Sequence, residues 1–327
     1  MQTLAVVFTA PNEAALREIE MPDPAPDEAQ IRTTYSTISV GTEGWVLQNL
    51  FTWQPTPYPC VPGYQRTGVI EKLGRDVRGW HVGDAVMATT GVFAGSVHSA
   101  WGSHVAVANT RAAELYRLPA GTDLVDASGA VVAQVGYNAA ARLALQPGEW
   151  VVVYGDGLIG QSAAQAARAR GARVILVGHR AERLALAAQH SADAALDSRQ
   201  ADITARVNAL TGGQPVCGVL DTVQHVDAQQ QYVPWLEHGR GQIVYSGFSP
   251  TPTWADMALL QKRELTTHYV SGWTRARMEA TLQLMGAGQM RLRPLVTHLV
   301  SPDMAPAMYG MTLTKNAPFL GITFQWS

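Results

Sequence analysis

Residues 150–184 read WVVVYGDGLIGQSAAQAARARGARVILVGHRAERL, and this stretch decides the fold. Its first five residues form a short, β-branched apolar run, the composition of a strand buried on both faces of a parallel sheet. The run ends in Gly155, Gly157 and Gly160, spaced for a tight turn, for close backbone approach to a pyrophosphate, and for a helix start packed against the strand. Residues 161–170, rich in alanine, predict a helix whose N-terminal amides and dipole point at that phosphate pair, and Gly171 ends it. A second apolar strand follows over residues 173–177. Three glycines near a helix occur by chance, but strand, glycine turn, helix and strand in this order form the context a dinucleotide site requires. The predicted nucleotide turn is therefore Gly155-Asp156-Gly157-Leu158-Ile159-Gly160.

The end of the second strand selects the nucleotide. An NAD site usually places Asp or Glu about 20 residues past the first glycine, to accept hydrogen bonds from the ribose 2′-hydroxyl. Here the strand ends in Gly178, His179 and Arg180, with Arg183 one helical turn on. With no carboxylate expected there to repel a 2′-phosphate, and guanidinium groups able to grip one through paired charge-assisted bonds, the sequence favours NADP over NAD. The alternative is that the two arginines only solvate a helix start, although cations there oppose the helix dipole.

The rest of the composition sets broad bounds. A chain of 327 residues that is 47% hydrophobic has room for two globular domains. A net charge of −2 with 15% charged residues carries no electrostatic footprint for nucleic acid. The opening MQTLAVVF lacks a signal-peptide pattern, and no apolar run reaches the ~18 residues a membrane span needs, so a cytoplasmic protein without membrane association is expected. Cys60 and Cys217 are too few for a disulfide framework or a four-cysteine zinc lobe.

Up to about residue 122 short β-like runs alternate with Gly, Pro and Asp, which predicts a compact, antiparallel, barrel-like domain. Residues 44–62 interrupt that rhythm with prolines and the aromatics Trp45, Phe51, Trp53 and Tyr58, either as a cover over the barrel or as a wall of a substrate pocket. Residues 126–145 read as one linking helix. Candidate strands at 194–196, 216–221, 242–247 and 265–269, with helices between them, give the alternation of a doubly wound sheet. After Met290 short strands return, and the tail is expected to pair back onto the first domain. The expected division is 1–122 as the substrate domain, 123–266 as the dinucleotide-binding domain, and 267–327 as a segment that completes the sheet edge and returns to the first domain.

This order resembles the medium-chain dehydrogenase/reductase superfamily, on residues that span nearly the whole chain: Val40-Gly41-Thr42-Glu43, Val61-Pro62-Gly63-Tyr64-Gln65 with Thr67-Gly68-Val69-Ile70, Val82-Gly83-Asp84-Ala85-Val86, and the glycine turn. The resemblance implies an α/β protein, a Rossmann sheet plus a GroES-like antiparallel β-barrel domain, and a homodimer paired through the sheet edge near residues 265–269. In the zinc-dependent alcohol dehydrogenases of the superfamily the positions matching Val40, Tyr64 with Gln65, and Gln134 carry the metal ligands. Catalytic zinc needs about three N, S or carboxylate donors, which valine, tyrosine and glutamine do not supply, so no zinc is expected. The Gly-Thr-Glu and Pro-Gly-Tyr segments look like a zinc-lacking branch similar to the 3-hydroxyethyl bacteriochlorophyllide a dehydrogenases.

Without a metal, side chains must steady the reacting oxygen and handle its proton. The resemblance places Thr42, Glu43, Tyr64 and Gln65 at that point: a hydroxyl relay, an adjoining carboxylate, a phenol that can donate a proton, and an amide that can donate a hydrogen bond. Each also has a structural reading: Thr42 as a helix cap, Glu43 paired with an arginine, Tyr64 as a core aromatic. Trp45, Phe51, Phe93, His98, Trp101 and Gln134 are candidates for the pocket lining and suggest a roomy, apolar or stacking site. Thr222 and Val223, and Ser246-Gly247-Phe248, follow strands on the side where nucleotides bind and are expected near the cofactor. Three functions remain open: interconversion of a secondary alcohol and a ketone, reduction of quinones or enones, and NADPH binding without catalysis.

Overall fold

The structure, a computed structural model, describes residues 1–249 and 255–326. It divides into two compact units, Met1–Val131 with Val296–Ser327, and Val132–Leu295. The first unit thus runs past residue 122 to Val131 and takes up the chain again at Val296.

In the first unit the strands are β1 (Gln2–Ala10), β2 (Glu13–Glu20), β3 (Glu28–Thr37), β4 (Cys60–Val61), β5 (Arg66–Leu73), β6 (Ala85–Ala88), β7 (His98–Ser99), β8 (Val107–Arg111) and β9 (Leu115–Arg117). Among the described residues β2, β1, β4 and β7 form one sheet. The C-terminal strands β16 (Val296–Val300) and β17 (Gly321–Gln325) head the other, followed by β3, β5, β6 and β9, with β8 against β3. The expected return of the tail is the antiparallel pairing of β17 with β3, Thr323 opposite Thr37. Most ladders are antiparallel; β4 with β7 and β16 with β17 are parallel. Strand β2, EAALREIE, escapes the sequence reading because its charged residues leave only Ile19 deeply buried.

Helix α1 (Val40–Leu47) occupies the start of the segment expected to be irregular. It begins after Ser39, so Thr42 lies inside its first turn rather than capping it. The single linking helix is two, α2 (Leu124–Ser128) and α3 (Ala130–Arg142), with Gly129 between them. Asp123 caps α2 by accepting from the amides of Val125 and Asp126.

The second unit holds β10 (Trp150–Tyr154), β11 (Arg173–Gly178), β12 (Ala194–Asp197), β13 (Gly218–Asp221), β14 (Gln242–Tyr245) and β15 (Thr266–Tyr269). Their spatial order is β12-β11-β10-β13-β14-β15, and every ladder is parallel. This is the Rossmann arrangement. All of β10 is buried, as its uninterrupted apolar text requires, and Val152, Ile175, Val219 and Ile243 from adjacent strands share one core with Tyr232 and Trp235. Chain order reverses between β10 and β13, so the turn after β10 stands at the switch point where nucleotides bind in such sheets. Helix α4 (Leu158–Ala169) follows β10, and α5 (Ala181–His190) follows β11.

Candidate active site

Two glycines of the turn, Gly155 and Gly160, are there for close packing. Gly155 has φ +126°, and a Cβ on it would lie 2.0 Å from Thr222 Oγ1. A Cβ on Gly160 would sit 2.1 Å from the Gly155 carbonyl oxygen, so the turn and α4 can touch only without a side chain there. Gly157 differs: it is the N-cap of α4, and a Cβ on it meets nothing within 4 Å. The first amides of a helix have no intrahelical acceptor, and here they belong to Leu158, Ile159 and Gly160 at the start of α4. This is a cradle suited to a pyrophosphate.

The rest of the strand ends frame it. Thr222 Oγ1 donates to the Tyr154 carbonyl at 3.2 Å. Asp221 is buried; its Oδ1 accepts from the amides of Val223 and Gln224, and its Oδ2 from the Tyr232 hydroxyl at 2.8 Å. Ser246 is buried and its hydroxyl has no partner among the described residues. Gly247, at φ +107°, accepts from Gln224 Nε2, and Phe248 is exposed.

One finding corrects the reading of the strand end. A carboxylate does stand there: Asp156, from the glycine turn itself. It is 3% exposed; its Oδ2 accepts from the amides of His179 and Arg180 at 2.9 and 3.0 Å, and its Oδ1 meets Arg180 at 3.1 Å and Arg183 at 3.4 Å. Burial opposes its ionisation, but the two amide bonds and the charges of Arg183 and Arg180 outweigh it and lower the pKa. Sequence spacing missed this because the acid comes from the first βα turn, not from the second strand.

In the first unit Tyr64 is buried, with its hydroxyl donating to Ser39 Oγ and lying 3.5 Å from Thr42 Oγ1. Burial pushes its pKa up to about 12 against those two hydrogen bonds, so the phenol keeps its proton at neutral pH. Trp101 meets the Tyr64 ring edge-on at 5.3 Å and holds φ +67°, a left-handed conformation that bulky residues avoid. Trp45, Phe51 and Trp53 form a second aromatic group, with centroid separations of 6.0 and 4.8 Å.

Other predicted residues are placed elsewhere. Glu43 is fully buried: Oε1 accepts from the Ser39 amide at 2.7 Å, Oε2 lies 2.9 Å from His104 Nε2 and accepts from the Tyr309 hydroxyl. Its partner is thus a histidine, not an arginine, and His104 in turn reaches Ser36 Oγ through Nδ1. Gln65, expected to face a reacting oxygen, instead ties backbone together, Nε2 donating to the Thr37 carbonyl and Oε1 accepting from the Val131 amide. His98 is exposed on β7, and Phe93 packs on the core around Val61 and Val105. In the second unit Gln134 donates to the Gly272 carbonyl at 3.2 Å, and its buried Oε1 has no partner among the described residues.

Two family models match the chain, the alcohol dehydrogenase GroES-like domain over residues 25–120 and zinc-binding dehydrogenase over 159–287. The chain belongs to the medium-chain dehydrogenase/reductase superfamily. Within the superfamily it is 28% identical to a sorbitol dehydrogenase of Halalkalibacterium halodurans, over 85% of this chain and 87% of that one. It is also 28% identical to the 2-desacetyl-2-hydroxyethyl bacteriochlorophyllide A dehydrogenase of Cereibacter sphaeroides, over 100% and 99% of the two chains. A Sinorhizobium meliloti protein described as a zinc-binding dehydrogenase, bound to NADP, shares the fold with a TM-score of 0.85 at 19% identity, covering 99% of each chain.

Superfamily membership raises the question of zinc, and the donor chemistry of this chain does not fit that ion. Val40 has no donor atom, the Tyr64 phenol is held protonated, and the Glu43 and His104 side chains bind each other in the core. Both cysteines are buried, with thiols pushed up to about 12. Among the described residues no three His, Cys, Asp or Glu side chains gather as a metal site. A nicotinamide dinucleotide, by contrast, fits the glycine cradle.

Proposed function

We propose that the chain is a zinc-independent, NADP(H)-dependent oxidoreductase that interconverts a secondary alcohol and a ketone on a fairly large apolar or ring-containing substrate. The observation that carries this reading is the Tyr64 phenol, desolvated and hydrogen-bonded to Ser39 at the position where zinc-dependent relatives hold a ligand. When bound, the nicotinamide supplies or accepts the hydride. Tyr64 donates a hydrogen bond and then its proton to the developing alkoxide, which removes the need for a Lewis acid. Ser39 and Thr42 hold the phenol and relay to it a replacement proton taken up from solvent, and Glu43, through the Ser39 amide, is a positioning residue. The Trp45, Phe51 and Trp53 group and Trp101 supply flat apolar surface for a ring.

The phosphorylated nucleotide is supported by Arg180 and Arg183 at the end of β11 and by the NADP found in the Sinorhizobium meliloti structure. The test is NADPH oxidation against ketones, enones and quinones, run before and after treatment with a zinc chelator and dialysis. Turnover of ring-bearing ketones that survives the chelator is expected. Turnover confined to enones or quinones, or activity that disappears with the chelator and returns with zinc, would overturn the reading.

A further inference from the structure

The end of β11 contains an arrangement that neither family membership nor strand spacing accounts for. A Cβ on Gly178 would fall 2.5 Å from Asp156 Cβ and 2.6 Å from its Oδ2, so the last residue of the strand carries no side chain because the Asp156 carboxylate fills that space. The carboxylate is fixed independently of the arginines. Its Oδ2 is spent on two backbone amides, which leaves Oδ1 for the guanidiniums of Arg180 and Arg183. Those two differ: the Arg180 side chain is 41% exposed and that of Arg183 14%. At Asp156 one carboxylate faces two guanidiniums, and Glu182 acts on Arg183 as well, so Arg180 is the less neutralised of the two.

We propose that Asp156 is a specificity-determining residue of the nucleotide site, its carboxylate competing with a 2′-phosphate for Arg180 and so setting the ratio of phosphorylated to unphosphorylated nucleotide bound. The inference builds on the nucleotide site of the proposed function. The anchored carboxylate cannot rotate away when a phosphate arrives, so Arg180, the exposed partner, is the group that transfers, while Arg183 stays on Asp156. The carboxylate thus acts in two opposed ways. It orders the strand end and keeps the guanidiniums at hand, and its charge weakens a neighbouring dianion.

The test is calorimetric titration with 2′,5′-ADP and with 5′-AMP, which reads the adenosine half of the site without any turnover. In Asp156→Asn the amide oxygen can still accept from the His179 and Arg180 amides, but the amide nitrogen cannot hold a guanidinium. We expect 2′,5′-ADP to bind about tenfold more tightly and 5′-AMP to bind as before. In Asp156→Asn/Arg180→Met that gain should vanish. Asp156→Ser, which keeps an acceptor for the amide pair with no charge, serves where the Asn protein fails to fold. An unchanged or lowered preference for 2′,5′-ADP in the folded variants would overturn the role of Asp156. Equal binding of the two nucleotides by the unaltered protein would instead overturn the NADP reading, and the shift on substitution would still report on Asp156.

Discussion

Two neighbouring polar residues of the first unit are built for different work. Tyr64 is buried, and its hydroxyl meets those of Ser39 and Thr42, which a substrate oxygen can replace as acceptor of its proton. Glu43 is enclosed by the Ser39 amide, His104 and Tyr309, a set that satisfies a carboxylate and leaves no path to a ligand. Tyr64→Phe should therefore lower turnover by about 10²–10⁴-fold while NADPH affinity, measured by fluorescence titration, is unchanged. Glu43→Gln should cost about 1–3 kcal/mol of stability, because an amide has one acceptor oxygen and cannot accept both from the Ser39 amide on one side and from His104 and Tyr309 on the other. If Tyr64→Phe kept full turnover, the phenol would not be the proton donor. The motif containing these residues was legible in the sequence, but their division of labour was not. Whether Glu43 faces a ligand or the core depends on His104 and Tyr309, 61 and 266 residues away, and no local pattern announces such partners.

At the scale of elements, the strand, turn and helix of residues 150–184 were readable because each obeys a local rule: uninterrupted apolar text for β10, alanine for α4, glycine where backbones meet. Asp156 was not readable, since its function comes from the adjacent strand end, which the sheet brings alongside. The two glycines of the turn that open α4 allow a separation of packing from binding. Gly160→Ala drives a methyl into the Gly155 carbonyl at 2.1 Å, so the turn must part from α4, and both melting temperature and NADPH affinity should fall. Gly157→Ala puts its methyl into open space at a residue with φ −77°. That variant should keep its melting temperature and still lose nucleotide affinity, because the methyl stands where the pyrophosphate would approach. Unimpaired NADPH binding by Gly157→Ala would remove the cradle from the site.

At the scale of the whole molecule, the first unit is closed by residues from the far end of the chain. Phe324 on β17 is fully buried, edge-on to the His104 ring at 5.3 Å and 6.5 Å from the rings of Tyr309 and Trp326. Trp326 Nε1 donates to Ser36 Oγ, the hydroxyl that also meets His104 Nδ1. The C-terminal segment therefore packs directly against the ring that positions Glu43. The sequence shows the tail as strands, but not that its aromatics complete the polar core of a domain begun some 300 residues earlier; that follows only once β17 lies beside β3. Phe324→Ala should cost about 3–5 kcal/mol. Because His104, Tyr309 and Trp326, the rings that Phe324 meets, all belong to the first unit, native-state hydrogen exchange should show the lost protection in β3, β5 and α1. Strands β10 to β14 should keep theirs, and the affinity for 2′,5′-ADP, read by the second unit alone, should hold at temperatures where turnover is already gone. Equal loss of protection in both units would mean that they open as one, and nucleotide binding and turnover would then fall together.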